Sequence, residues 1–262
     1  MEETSAKTWL VMPLYIYPLT ESTWGALYDV IIGYPDLNFL VIVNPNSGPG
    51  DADLPGHDYV REVPKLNSYP NVCTVGYVRV GWCRRTLEET FEDIRTYADW
   101  KRDDIPGFYV EGIYLDETPN HVAPERAQHL HALRQYIKNA EGLVGDRLVV
   151  HNPGTPPEGH LKHFGSPDMV CLCEEPYKMY GDDGVQRRLR DYALPWHQTI
   201  YQISGIPAEL MDDVVQELCQ RAKYVFATDL VDDFYESFSP SWAGFAAAVN
   251  RSNQLQARAA CS

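Results

Sequence analysis

The sequence predicts a single (β/α)8 barrel, an α/β fold built from eight successive units of one strand and one helix. Short apolar runs rich in strand-forming residues alternate with longer amphipathic or polar stretches along the whole chain. Eight such units fill the 262 residues, which is the usual size of this barrel. Because no linker or low-complexity segment divides the chain, we expect one domain over residues 1–262, with its core over roughly residues 9–256.

The first half of the chain supplies four of these units. Its strands are predicted from apolar runs at residues 8–18, 38–45, 71–78 and 110–116. Helices are predicted over residues 21–32, 86–100 and 124–140, whereas the Gly/Pro-rich residues 48–70 predict a loop with a helical turn or two. The helix 86–100 has the clearest signature, because Thr86 and Glu89 match a capping box. Its apolar residues recur at helical spacing: Leu87, Phe91, Ile94, Tyr97 and Ala98.

The second half of the chain supplies the other four units. Its strands are predicted at residues 146–154, 167–175, 196–204 and 223–229, and its helices at residues 182–193, 209–222 and 242–256. Cys171 and Cys173 lie in an apolar run at strand spacing, so we expect buried free thiols there rather than metal ligands. An open doubly wound sheet is the alternative architecture. The first strand is followed by no phosphate-binding glycine motif, which disfavours a nucleotide site.

Charge and hydropathy exclude some classes of partner. The net charge of −15 argues against nucleic acid and anionic membranes, which both require a positive surface. No run of 18 apolar residues predicts a membrane span. The N-terminal segment has acids where a signal peptide needs positive charge, so we expect a cytoplasmic protein as the sequence stands, or a secreted or wall-associated one if a leader was removed. The oligomeric state stays open.

Polar and aromatic residues follow the predicted strands, at the barrel end where active sites form. Helix capping explains a single Asn or Asp at such a junction, but not the acids directly behind the apolar runs of strands four and six. A buried carboxylate without a partner is costly, and Lys and Arg are scarce at these junctions, which favours a chemical role. The strand-end residues are Tyr15, Tyr17, Asn44, Tyr77, Asp116, Glu117, Asn152, Glu174, Glu175, Tyr201, Gln202, Thr228 and Asp229.

Carboxylates from two strands suit glycoside hydrolysis, in which one acid protonates the leaving oxygen and another attacks the sugar or activates water. Strands four and six are one strand apart, which allows either the retaining or the inverting separation of the carboxyl groups. No metal-ligand pair such as HExxH and no G-x-S-x-G motif is present, so neither a metal nor another cofactor is expected. His151 is expected to be structural or hydrogen-bonding.

The adjacent acids Asp116 and Glu117 cannot both point inward if the strand continues, because successive side chains alternate between faces. Pro119 indicates that the strand stops, since the residue before a proline is held extended or in a turn. We therefore expect Asp116 at the last inward position of the strand and Glu117 on the departing loop.

The segments PLYIYP, VIVNPNSGPG, VGYVR, GIYLDE, HNPG, CEEPY and YVFATD, in this order, resemble the spherulin 4-like family, which is assigned to glycoside hydrolase family 135. The resemblance implies a (β/α)8 barrel that cleaves α-1,4-linked polysaccharide of the galactosaminogalactan type within N-acetylgalactosamine stretches. It also implies an acidic trio, which falls on Asp116, Glu117 and Glu174, with the neighbouring Glu175 as the alternative third acid. The segment WCRR at residues 82–85 departs from the family's Tyr-Gly-x-Arg pattern and alters the rim of the cleft.

We therefore expect an endo-acting glycosidase with a polysaccharide as its partner. The carboxylates could act in a retaining or an inverting mechanism, or the N-acetyl group of the substrate could itself attack the sugar. The alternatives are a non-catalytic carbohydrate-binding or spore- or wall-associated protein on the same barrel, and a glycosidase for another glycan. The expected substrate-binding residues are Tyr15, Tyr17, Asn44, Tyr77, Asn152, Tyr177, Tyr201 and Asp229.

Overall fold

Eight parallel strands, hydrogen-bonded in chain order from β1 to β8 and back to β1, form a closed barrel in the computed structural model. The structure describes residues 7–121, 123–158, 165–192 and 194–260. The predicted (β/α)8 barrel is confirmed, and the open sheet is excluded because Trp9 and Leu10 of the first strand pair with Tyr224 and Val225 of the last.

The strands are β1 (Trp9–Leu14), β2 (Phe39–Val43), β3 (Val72–Arg79), β4 (Gly112–Asp116), β5 (Leu148–Asn152), β6 (Met169–Pro176), β7 (Thr199–Ser204) and β8 (Tyr224–Ala227). The helices are α1 (Gly25–Gly33), α2 (His57–Asn67), α3 (Leu87–Ala98), α4 (Pro124–Asn139), α5 (Tyr177–Tyr180), α6 (Asp183–Asp191), α7 (Met211–Arg221) and α8 (Trp242–Ala260). Among the helices that the structure describes, none is both long and apolar enough to cross a membrane.

Helix α2 differs from the prediction, because the Gly/Pro-rich residues 48–70 contain an 11-residue helix rather than a turn or two. Pro64 lies inside this helix, where it removes one backbone hydrogen bond and lowers the helical signal of the sequence. Tertiary packing compensates for that loss. Tyr59, Val63 and Leu66 are fully buried against the barrel.

The helix predicted over residues 86–100 is confirmed as α3, with both hydrogen bonds of its capping box. The Glu89 amide donates to the Thr86 hydroxyl (3.2 Å), and the Thr86 amide donates to the Glu89 carboxylate (2.7 Å). Tyr97 of this helix packs directly on Gly76 of β3, where an added Cβ would lie 2.7 Å from the ring. This close approach fixes α3 against the strand that carries Tyr77.

The core has two layers, one inside the barrel and one between the strands and the helices. Strands are buried on both faces, and β2 and β7 are buried at every position. Cys171 and Cys173 are buried free thiols, as predicted. Cys261 lies outside the described residues.

Candidate active site

Three polar side chains from adjacent strands meet at the carboxyl end of the barrel. Asp116 ends β4, Asn152 ends β5, and Glu174 lies in the last part of β6. Asp116 and Asn152 are partners in the sheet register, so their side chains leave the sheet on the same face. Glu174 is in register with Gln202 of β7, whose side chain faces the barrel interior and donates to the Tyr114 hydroxyl (2.9 Å).

A bulge in β6 directs Glu174 to this face. The register shifts between Cys171 and Cys173, so that Cys171 pairs with Ile200 and Cys173 with Tyr201. Strict alternation would place Cys171 and Cys173 on one face and Glu174 on the other. Because Leu172 is inserted, Cys171 and Glu174 both face inward, and Cys171 Sγ accepts a hydrogen bond from Gln202 Nε2 (3.3 Å).

One amide group connects the two acids. Asn152 Nδ2 donates to Asp116 Oδ1 (2.7 Å) and to Glu174 Oε2 (2.5 Å), so these two oxygens are no more than about 5 Å apart. The Asn152 Oδ1 atom accepts from the amide of Gly154 (2.9 Å), which fixes the orientation of the side-chain amide. Asp116 and Glu174 therefore form one hydrogen-bonded unit.

A tyrosine hydroxyl completes the contacts of each acid. Tyr77 of β3 donates to Asp116 Oδ2 (2.6 Å), and Tyr235 of the loop between β8 and α8 donates to Glu174 Oε1 (2.6 Å). Tyr15 packs between these two rings, with centroids 5.5 Å from Tyr77 and 5.1 Å from Tyr235. The acids thus lie in a wall of aromatic side chains.

Burial raises the pKa of both acids. For Glu174, removal from water is the main cause, and the negative charge of Asp116 adds to it. For Asp116, burial again dominates, while hydrogen bonds from Tyr77, the Glu117 backbone and Asn152 act in the opposite direction. No ion pair to either acid occurs within the described residues, in keeping with the raised pKa values. Such acids can hold a proton at a pH where ordinary carboxyls have lost it.

Glu117 lies at the rim of the site rather than in the buried unit. Strand β4 ends at Asp116 as predicted, and Glu117 has a left-handed backbone with φ of 53°. Its Oε2 accepts a hydrogen bond from the exposed Arg79 Nε (2.8 Å). Arg79 ends β3, so the strand ends do include one cation, and it neutralises Glu117 rather than Asp116.

Four of the predicted binding residues occupy positions after the strands without contacting Asp116 or Glu174. Tyr17 is exposed and donates to Asp58 (3.0 Å), while Asn44 accepts from the Gly48 amide (3.1 Å). Tyr177 begins α5 and is half-buried. Asp229 accepts from the Ser241 hydroxyl (2.6 Å). The structure brings together Tyr15, Tyr77, Asn152, Asp116 and Glu174. The four residues named above lie outside this cluster.

Tyr201 does not join the site. Its ring lies 6.4 Å from that of Tyr180 and below the Arg221 guanidinium, in the layer between β7 and the helices. The alternation of β7 is the reason, because Gln202, the next residue, is the one that faces inward. Gln202 lines a cavity of about 50 Å³ beside Glu174, together with Phe226, Phe234 and Tyr235.

Tyr235 and Tyr114 were not anticipated from the sequence. Tyr114 could have been found, because it lies two residues before Asp116 on the same face of β4. Tyr235 carries no comparable signal, since it lies in an irregular loop between β8 and α8. His151 is buried on the opposite face from Asn152, and burial, with a smaller effect of Arg134, lowers its pKa to about 3, so it is neutral and structural.

The arrangement can perform acid–base and nucleophilic chemistry on a bound sugar. The two carboxylate oxygens that share the Asn152 amide are no more than about 5 Å apart, which fits the spacing of retaining glycosidases better than that of inverting ones. Within the described residues, no three His, Cys, Asp or Glu side chains are grouped to hold a metal ion.

The fold and the acidic unit define a (β/α)8-barrel protein with a carboxylate site at the carboxyl ends of its strands. The profile of Spherulation-specific family 4 (Spherulin4) matches residues 9–249, and the chain belongs to this family. The resemblance noted in the sequence is confirmed.

Solved structures agree with this assignment. The crystal structure of Aspergillus clavatus Sph3 in complex with GalNAc matches with a TM-score of 0.86 and 32% identity, over 93% of this chain and 98% of that chain. A Toxoplasma gondii ME49 protein assigned as a deoxyribose-phosphate aldolase matches with a TM-score of 0.51 and 9% identity, over 96% of this chain and 93% of that chain, which shows the barrel fold alone. Among curated proteins, no sequence matches this chain.

Proposed function

We propose that this protein is a glycoside hydrolase that cleaves within α-1,4-linked N-acetylgalactosamine stretches of a galactosaminogalactan-type polysaccharide. The observation that carries the proposal is the joining of Asp116 and Glu174 by the Asn152 amide. The similarity to Sph3, which was solved with GalNAc, supports the identity of the sugar.

Glu174 is proposed as the general acid and Asp116 as the nucleophile. A general acid must keep its proton, and Glu174 has a pKa raised by burial and by the charge of Asp116. Asp116 accepts three hydrogen bonds, from Tyr77, Asn152 and the Glu117 backbone, whereas Glu174 accepts two, and such bonds favour the charged form that a nucleophile requires. Two carboxyls in different environments thereby divide the two tasks.

The reaction follows from these roles. An Asp116 oxygen attacks the anomeric carbon, the bond from that carbon to the glycosidic oxygen breaks, and Glu174 gives its proton to the leaving oxygen. Glu174, now ionised, then takes a proton from water, whose oxygen attacks the same carbon and releases Asp116. The Tyr77 and Asn152 donors keep the attacking carboxylate in position during both steps.

Attack by the substrate's own N-acetyl group fits this linkage poorly. In α-linked N-acetylgalactosamine, the acetamido group at C2 and the glycosidic oxygen at C1 are cis, so the acetamido oxygen cannot reach the back of C1. In a retaining mechanism, a carboxylate of the protein takes that position instead. Glu117 is proposed to position the sugar from the rim, where Arg79 holds its side chain.

The proposal is tested by incubating the protein with an N-acetylated α-1,4-galactosamine polymer and following the products by NMR and mass spectrometry. Oligosaccharides of several lengths with newly formed α-anomers are expected, because internal cleavage through a glycosyl-enzyme retains configuration. First-formed β-anomers would exclude the nucleophilic role of Asp116. Tight binding without any cleavage would favour the carbohydrate-binding alternative, and cleavage of an unrelated glycan alone would reject the substrate.

A further inference from the structure

The loop after β3 contains three consecutive residues with left-handed backbones. Gly81, Trp82 and Cys83 have φ angles of 60°, 55° and 62°. Glycine adopts this conformation freely, but Trp and Cys do so at a cost, and runs of such residues are uncommon. Strain of this kind persists where the surrounding structure holds it, and it is concentrated at functional sites.

Hydrogen bonds connect this loop to the backbone of the adjacent acids Asp116 and Glu117. The Trp82 amide donates to the Glu117 carbonyl (2.7 Å), and the Val80 amide donates to the Asp116 carbonyl (2.9 Å). Glu117 itself is left-handed, so two strained segments lie side by side. The position of Trp82 is therefore tied to the residues that form the candidate active site.

Trp82 is 42% exposed. The exposed part of this apolar ring removes no surface from water, so core packing does not account for the exposure. The Arg84 guanidinium lies over the ring, 5.1 Å from its centroid, and restricts its orientation. A partly exposed aromatic ring whose backbone is bound to Glu117, at the rim of the site, is a surface on which the apolar face of a sugar can stack.

We propose that Trp82 and Arg84 form a sugar-binding subsite beside the acids, which binds an N-acetylated residue of the polysaccharide in preference to one with a free amine. The inference rests on the proposed function and extends it to a second sugar of the chain. Trp82 supplies the stacking surface, and Arg84 supplies the discrimination, because its cation repels the ammonium group of a deacetylated residue.

The charges near the ring agree with this preference. The whole chain carries a net charge of −15, which would attract a cationic polymer to most of its surface. Beside the Trp82 ring, however, Arg84 supplies a local positive charge. Arg84 lies on the ring, Arg79 is already neutralised by Glu117, and the positive field of Arg126 reaches Cys83. A neutral acetamido sugar is therefore favoured here over an ammonium sugar.

The test measures binding separately from cleavage, in protein carrying Glu174→Gln. Hexamers of α-1,4-linked N-acetylgalactosamine and their deacetylated forms are titrated by calorimetry. Adding Trp82→Gly, which tolerates the left-handed backbone, is expected to weaken binding of the acetylated hexamer by roughly tenfold or more. Trp82→Tyr, which keeps an aromatic face, should stay within about threefold. Adding Arg84→Gln should reduce the preference for the acetylated form.

Cys83→Gly is the matched control, because it removes one left-handed side chain from the same loop and leaves the ring in place. Unchanged affinity in Trp82→Gly would overturn the subsite, as would an equal loss in Cys83→Gly. An unchanged preference in Arg84→Gln would overturn the discrimination. If the wild-type protein cleaves no polymer but binding still depends on Trp82, the proposed hydrolase activity is wrong and the subsite stands. If the wild-type protein cleaves the polymer but binding does not depend on Trp82, only the subsite is wrong.

Discussion

Asp116 and Glu174 accept hydrogen bonds from the same nitrogen atom, the side-chain amide of Asn152, at 2.7 and 2.5 Å. Each amide hydrogen goes to a different carboxylate, so neither acid can move without changing the contact of the other. Since both acids are buried, the charge of Asp116 raises the pKa of Glu174.

Replacing Asn152 with Ala should lower kcat by roughly 10- to 100-fold while the barrel stays folded. Both buried carboxylates lose a donor in this variant, and their separation is no longer fixed. Steady-state kinetics on the N-acetylated polymer, with circular dichroism to check the fold, measures the effect. Asn120→Ala is a suitable control, because the Asn120 amide bonds Thr155 (3.1 Å) rather than either acid. An equal loss in both variants would argue against the bridging role.

Replacing Tyr77 or Tyr235 with Phe should shift opposite limbs of the pH–rate profile. Tyr235→Phe removes a hydrogen bond that lowers the pKa of Glu174, so this pKa rises and the alkaline limb moves to higher pH. Tyr77→Phe removes the corresponding bond to Asp116, so the nucleophile is protonated at higher pH and the acid limb moves up. Profiles of kcat against pH for both variants test the assignment. Exchanged effects would reverse the acid and nucleophile roles.

The raised pKa of Glu174 predicts the direction in which the stability of the protein changes with pH. A carboxyl with a raised folded-state pKa binds more protons in the folded than in the unfolded protein, so it destabilises the fold as pH rises from its ordinary value of 4.5. The free energy of unfolding of Glu174→Gln, relative to wild type, should therefore increase between pH 4 and pH 7. Urea unfolding at both pH values measures it.

Glu89→Gln provides a control of opposite sign for that experiment. The hydrogen bonds from Thr86 lower the pKa of Glu89, so this acid stabilises the fold above its unfolded pKa and ceases to do so in acid. The relative stability of Glu89→Gln should decrease as pH rises. A rise in both variants would show that the pH dependence does not come from these local contacts.

The barrel was predictable from the sequence because its strands are apolar runs and its helices carry clear start signals, such as Thr86 and Glu89 at α3. Helix α2 was underestimated because Pro64 lowers its local propensity, and the burial that compensates comes from residues distant in sequence. The bounds of some strands also differ from those predicted. For example, β1 ends at Leu14, whereas the sequence predicted a strand up to residue 18.

The site was partly predictable for the same reason. Asp116 could be placed because Pro119 marks the end of its strand, but the choice between Glu174 and Glu175 depends on the bulge at Leu172, which alternation cannot reveal. Tyr201 was expected in the cleft and lies outside the barrel, because β7 presents Gln202 inward instead. Tyr235 approaches Glu174 from 61 residues away in sequence, so only the fold brings it there.

Gly76→Ala should destabilise the protein by about 1–3 kcal/mol, because the added Cβ would lie 2.7 Å from the buried Tyr97 ring. Thermal or urea unfolding measures the change. Gly244→Ala is the matched control, since an added Cβ there meets no atom within 4 Å and alanine is the better helix former. A neutral Gly76→Ala would mean that α3 is not packed tightly on β3.

The release of reducing ends from an N-acetylated α-1,4-galactosamine polymer tests the central claim most directly, measured for wild type and for Asp116→Asn, Glu174→Gln and Glu175→Gln. All four proteins carry nearly the same side-chain volumes, so differences report on chemistry. We predict cleavage by wild type and by Glu175→Gln, and a loss of at least about a hundredfold in Asp116→Asn and Glu174→Gln. Undiminished cleavage by the Asp116 and Glu174 variants, with their folds intact, would contradict the account.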